Sequence, residues 1–183
     1  MDQPIVLSTQ IASILERPVT RDVLADQLVE LRTSHPNLRV VLANGCFEML
    51  HVGHVRYLKD ARSRGDFLVV AVNEDVGVQS LKGDQRSLVP FAERAELLLA
   101  LECVDAVMGF GELTLEDTLR CLLPAVHAKG TDYTADTIPE RFVDRELGIE
   151  IAICGDPKDH STTAMLRELG QRESSGSAQT RQT

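Results

Sequence analysis

Residues 67–72 read Phe-Leu-Val-Val-Ala-Val, six apolar side chains in a row. A strand with one wet face alternates apolar and polar residues, whereas an unbroken apolar run suits a strand covered on both faces, as in a parallel sheet. Shorter apolar runs recur at 38–43, 104–108, 125–128 and 150–154. Between them lie helical stretches: 55–64, a short helix or turn opened by Asn73-Glu74-Asp75, 91–101, 114–123, 139–147 and 161–169. Strands alternating with helices specify right-handed βαβ units, hence an α/β fold with a doubly wound parallel five-stranded sheet and helices on both faces.

The flanks read differently. Residues 1–37 form an N-terminal helical segment: a short helix over 5–15, stopped before Pro18, then a second begun by Thr20 as N-cap with Val23, Leu24, Leu28 and Leu31 as its apolar face. The α/β domain is expected over 38–170. Residues 171–183 are rich in Ser, Gln, Gly and Thr, a composition that predicts a disordered tail. A chain of 183 residues can bury one proper core. Its net charge of −9 argues against nucleic-acid binding, which needs a basic surface. No apolar stretch reaches 18 residues, so no membrane span is expected, and the acidic start lacks the basic region of a signal peptide. Cys46 lies in a glycine turn, while Cys103, Cys121 and Cys154 sit in apolar stretches and read as buried thiols; with no Cys-x-x-Cys pair, neither disulfides nor structural zinc are expected. A cytoplasmic setting fits these features.

In such a sheet all strands end on one edge, and ligands bind there beside the switch point. Four polar segments leave strands at that edge: Asn44 to His54, the Asn73 turn, Lys129-Gly130-Thr131-Asp132-Tyr133, and 155–163. The first is the most telling. Asn44-Gly45-Cys46-Phe47-Glu48-Met49-Leu50-His51-Val52-Gly53-His54 links a strand to a helix. Gly45 and Gly53 let the main chain approach a ligand, the helix N-terminus attracts anions, and His51 and His54, three apart, can face one ligand. Read from the residues alone, the segment either binds phosphate or is a helix start with two surface histidines.

His51-Val52-Gly53-His54, placed after Asn44-Gly45-Cys46-Phe47, resembles the HxGH signature of the nucleotidylyltransferase superfamily. Four further segments are similar to the heptose-phosphate adenylyltransferases within it: Leu81-Lys82-Gly83 with Arg86 and Glu93-Arg94; Ala100 to Asp105; Lys129-Gly130-Thr131-Asp132-Tyr133; and Ser161-Thr162-Thr163. The likeness runs in order over residues 38–168. It implies a Rossmann-like fold and transfer of a nucleoside monophosphate, AMP from ATP before CMP from CTP, to a sugar 1-phosphate such as D-glycero-β-D-manno-heptose 1-phosphate. In many bacteria that domain is fused to a sugar kinase; with no kinase segment in these residues, a stand-alone form is the expectation. The resemblance also implies a homodimer, and Mg²⁺ delivered with the triphosphate rather than held in a protein-built site.

By the same resemblance His51, His54 and Lys82 are catalytic. Asn44, Gly45, Cys46, Phe47, Gly53, Lys129, Gly130, Asp132, Ser161, Thr162 and Thr163 bind the nucleotide, and Asn73, Arg86 and Arg94 meet the acceptor. Three departures stand out: Glu48 where the family has Asp, Thr131 where it has a second Gly, and Ser87-Leu88 where it has Pro-Val. His35 and His127 are read as structural, while His160, directly before Ser161, lies within reach of the site and is given no role. Two other functions remain open at this point: a cytidylyltransferase acting on glycerol 3-phosphate or a related polyol phosphate, and a non-catalytic nucleotide-binding module.

Overall fold

A computed structural model describes residues 9–82 and 88–156. In chain order the elements are α1 (Thr9–Leu15), α2 (Arg21–Ser34), β1 (Val40–Gly45), α3 (Val52–Arg62), β2 (Phe67–Asn73), α4 (Asp75–Lys82), α5 (Phe91–Leu99), β3 (Ala106–Phe110), α6 (Glu116–Leu122), β4 (Val126–Gly130), α7 (Arg141–Leu147) and β5 (Glu150–Cys154). The expected helix at 161–169 and the expected tail lie outside the described residues.

The five strands form one parallel sheet in the order β3-β2-β1-β4-β5. The chain steps outward from β1 to β3, then returns to the other side of β1 for β4. The switch point therefore falls between β1 and β4, the crevice where such sheets take their ligands. Every residue of β2 is buried, as its unbroken apolar run requires. Tyr57, Leu58 and Ala61 of α3 pack with Ala95 and Leu98 of α5 on one face. Leucines of α2 and α6 and Val143 of α7 cover the other.

The N-terminal segment is part of this body. Thr20 caps α2, its hydroxyl accepting from Val23 N at 3.4 Å. Leu24, Leu28 and Leu31 are fully buried against the sheet, each worth roughly 2 kcal/mol over exposure. Val23 does not join that stripe; it is 40% exposed. Helix α3 starts three residues earlier than its apolar period suggests, so Gly53 and His54 lie in its first turn. Strand β3 is displaced two residues toward its C-terminus, because Asp105 turns back to accept from Leu68 N at 2.7 Å. Cys121, expected to be buried, is exposed.

Candidate active site

Strand β1 ends at Gly45 and the chain turns sharply at Phe47, whose φ of +49° is unusual for a residue with a side chain. The Phe47 ring folds back over Gly45, where a Cβ would stand 3.1 Å from it. Any larger residue at 45 would displace that ring. The same ring meets the His54 imidazole edge-on at 5.1 Å, and the His51 and His54 rings stack at 3.9 Å between centroids. His51 is the N-cap residue of α3 and makes no side-chain cap bond. Its carbonyl accepts from His54 N at 2.9 Å and Val55 N at 3.3 Å. Both imidazoles are half-buried at the helix N-terminus, where the N–H groups of Val52 and Gly53 precede the first helical bonds. The pair thus holds two ring donors beside a positive helix end.

The turn is fixed from below. Arg94 of α5 donates from Nη1 to Cys46 O at 2.5 Å, from Nε to Val89 O at 2.9 Å, and from Nη2 to Asp75 Oδ1 at 2.8 Å. Its side chain is completely buried. Sequence reasoning placed Arg94 at the acceptor phosphate; its guanidinium is instead spent on protein oxygens and holds the floor of the turn. Asn73, at the end of β2, is also buried, and its Oδ1 accepts from the Cys46 thiol at 3.6 Å. Glu48, the odd residue of the turn, is buried and accepts from Leu88 N at 3.4 Å.

Strand β4 brings Lys129 to the same edge. The expected loop begins two residues later, since Lys129 and Gly130 complete the strand. Lys129 is 4% exposed; its ammonium donates to Asn44 Oδ1 at 2.9 Å and pairs with Glu140 at 3.1 Å. Burial alone would push the Glu140 carboxyl up, but the Lys129 ammonium and the Leu115 N–H outweigh it and hold the group below the ordinary glutamate range. Tyr133 lies 5.2 Å from the same ammonium. At Gly130 an added Cβ would meet nothing within 4 Å, so the main chain there borders open space. Asp132 is exposed in the loop that follows.

Helix α3 ties the edge together. Tyr57 donates its hydroxyl to Ala128 O at 2.8 Å, and burial raises its pKa far above the usual phenol range. Asp60 accepts from Gly155 N at 2.8 Å, and Arg56 pairs with Asp156 at 3.0 Å. Thr131, the second departure, donates to Asp156 O at 3.0 Å and so joins the β4 and β5 exits. Lys82 is the last residue of α4; its side chain, together with Arg86, Ser161, Thr162 and Thr163, lies outside the described residues. Sequence reasoning missed Glu140. Its signal was available: a lysine in a buried strand needs a counter-charge, and the helical stretch that follows offers Glu140 and Asp144 four apart.

A family profile described as cytidylyltransferase-like matches residues 42–169. Among curated relatives, the bifunctional protein HldE of Geobacter sulfurreducens is 44% identical over 131 residues, covering 72% of this chain and 27% of its own. That of Hydrogenovibrio crunogenus is 47% identical over 135 residues, with 74% and 28% covered. That of Pelobacter propionicus is 40% identical over 154 residues, with 84% and 31% covered. The chain thus spans less than a third of the length of each of these relatives. The crystal structure of the lipopolysaccharide core biosynthesis protein from Thermoplasma volcanium GSS1 shares the fold, with a TM-score of 0.56 at 24% identity over 66% of this chain and 99% of that one. With the profile spanning the stretch from β1 past β5, the chain belongs to the cytidylyltransferase-like family.

Proposed function

We propose that this chain transfers AMP from ATP to a sugar 1-phosphate of the D-glycero-β-D-manno-heptose 1-phosphate type, releasing pyrophosphate and giving an ADP-heptose. The observation that carries the reading is the stacked His51–His54 pair on the first turn of α3, at the switch point of the sheet. The identity to HldE proteins favours adenylyl over cytidylyl transfer.

In this reaction a phosphate oxygen of the acceptor attacks the α-phosphorus, the bond to the bridging oxygen breaks, and pyrophosphate leaves. The nucleophile is already anionic, so the site needs no strong base. It must hold two polyanions together and stabilise charge at a pentavalent phosphorus, by positioning and fixed donors. His51 and His54 supply those donors to the α- and β-phosphates, with the Val52 and Gly53 N–H groups beside them. Asn44 to Phe47 shape the floor of the nucleotide pocket, and the open main chain at Gly130 admits the nucleoside. Lys82, Arg86 and Ser161 to Thr163 remain the proposed partners of the phosphates, Asn73 and Asp132 of the acceptor and ribose sides. Among the described residues no three histidine, cysteine or acidic side chains gather into a metal cage. Mg²⁺, which offsets triphosphate charge, would come in on the nucleotide, held by its oxygens and water.

The test offers the purified chain each nucleoside triphosphate with heptose 1-phosphate, other sugar 1-phosphates or glycerol 3-phosphate, with Mg²⁺, and follows pyrophosphate. ATP with the heptose phosphate is the expected pair. CTP with glycerol 3-phosphate would transfer the reading to a polyol-phosphate cytidylyltransferase. Triphosphate binding with no release from any pair would reduce the chain to a nucleotide-binding module.

A further inference from the structure

Strand β4 carries two basic side chains inside the packed layer. His127 and Lys129 are two apart, so they share a face, and they are 0% and 4% exposed. Asp144 of α7 and Glu140 at its N-cap stand opposite, four apart and hence in line. His127 Nδ1 lies 3.0 Å from both Asp144 oxygens, and both side chains are fully buried. The outer pair, Lys129 with Glu140 at 3.1 Å, sits at the strand end and reaches further. Lys129 donates to Asn44 Oδ1 at 2.9 Å, while Glu140 Oε1 accepts from Leu115 N at 3.1 Å. A continuous chain of polar contacts thus runs from the entry of α6, through Glu140 and Lys129, to the residue that opens the histidine turn.

We infer that Glu140 is a positioning residue for the nucleotide site: through Lys129 it fixes the Asn44 side chain at the β1 exit. The inference rests on the nucleotidyl-transfer reading of that edge. The ammonium donates to Asn44 and is charge-paired with Glu140, and so little of Lys129 reaches solvent that its main work is internal. Two apolar side chains of similar volume would fill the same space without loss of stability. What the ion pair adds is direction, a donor aimed at one oxygen of Asn44. Without the Glu140 charge the buried ammonium has lost its counter-ion; it swings toward water or toward the nucleotide's phosphates, and the Asn44 amide is free to turn.

The experiment compares the wild-type chain with Glu140→Gln, Glu140→Asp, Asn44→Ala and the double variant Glu140→Gln/Asn44→Ala. Glutamine keeps the size of the side chain and an acceptor for Leu115 N, and removes only the charge. For each, kcat and KM for ATP are measured by pyrophosphate release, Mg-ATP affinity by calorimetry, and folding by thermal unfolding. Glu140→Gln is expected to raise the KM for ATP about five- to tenfold with kcat changed less, as coupled neighbours do. Glu140→Asp restores part of the loss. The double variant is no worse than Asn44→Ala, because both changes break the same chain of contacts. An unchanged KM and affinity in folded Glu140→Gln, or strictly additive losses in the double variant, overturns the inference, since a purely structural role lowers only the unfolding temperature. If Glu140→Gln does not fold, Glu140→Asp is read by the same criterion. A wild-type chain that binds Mg-ATP without turnover sinks the transfer reading alone, and the affinity series still decides the role of Glu140. A wild-type chain that binds no nucleotide sinks both.

Discussion

Strands β1 and β4 leave the sheet side by side, each ending in a glycine and each carrying a motif, yet they prepare their side chains in opposite ways. At the β1 exit two imidazoles stay half-buried at a helix N-terminus, braced by ring contacts. At the β4 exit the one cation is sealed in and its charge is met by Glu140 and Asn44. Edge position thus tells where a ligand arrives, but the partners already present decide which side chain can meet it. The lysine is held by buried acceptors, whereas the histidine pair is held by ring contacts at a helix start.

The largest effect that bears on this contrast is on stability. Lys129→Met leaves the Glu140 carboxylate buried and unpaired, and about 3–5 kcal/mol of unfolding free energy should be lost in urea titrations. Adding Glu140→Gln should recover most of it. If Lys129→Met is instead nearly as stable as wild type and loses nucleotide affinity, the two exits are alike after all. His54→Ala should behave in the opposite sense: kcat for pyrophosphate release falls about a hundredfold or more, while the fold is retained. Near-normal turnover would remove the histidine from the mechanism. Gly155→Ala probes a third exit, β5, where φ is +93° and a Cβ would stand 3.2 Å from Tyr57 Cα. Strain of about 1–3 kcal/mol is expected, read as a lower unfolding midpoint, with proteolysis of the β5 exit faster than in wild type.

Acid separates the same groups. Glu140 has its folded pKa lowered, so its stabilising contribution is present above the ordinary glutamate value and is lost as pH falls through the folded value. Asp105 is the opposite case: burial raises its pKa despite the Leu68 N–H and Arg62, so its cost is full at neutral pH and eases as the pH drops. Urea midpoints between about pH 3 and 7 should therefore fall less steeply toward acid in Glu140→Gln, and more steeply in Asp105→Asn. The smallest effect is Thr131→Val, which removes one exposed tether to Asp156 O and should change stability by about 0.5 kcal/mol or less.

Much of the fold was legible because apolar pattern determines burial. The unbroken run of β2 marked both its ends to within a residue, and the alternation of elements gave the parallel sheet. Misplacements have local causes. Gly53, a poor helix former, hid the true start of α3, and the charge of Lys129 made the end of β4 look like a loop. The histidine turn stood out by its residue types and spacing, and its two rings do stack at the start of α3. Arg94 was misassigned and Glu140 overlooked because sequence shows a charge but not what surrounds it. Only packing reveals that Arg94 has three protein acceptors and that Glu140, at the start of a short helix, pairs with the lysine that holds Asn44.

Helix α3 carries the histidines at one end and, on its second and third turns, Arg56, Tyr57 and Asp60, which hold the exits of β4 and β5. It is thereby a gauge rod: His54 and Asp60 are six residues apart, about 9 Å along the axis. That length cannot be altered by rearranging loops. A single residue inserted between Val55 and Arg56 would rotate all three anchors by about 100° while leaving the imidazoles where they are. Such a chain would keep its histidine turn and lose the spacing between that turn and the exits of β4 and β5.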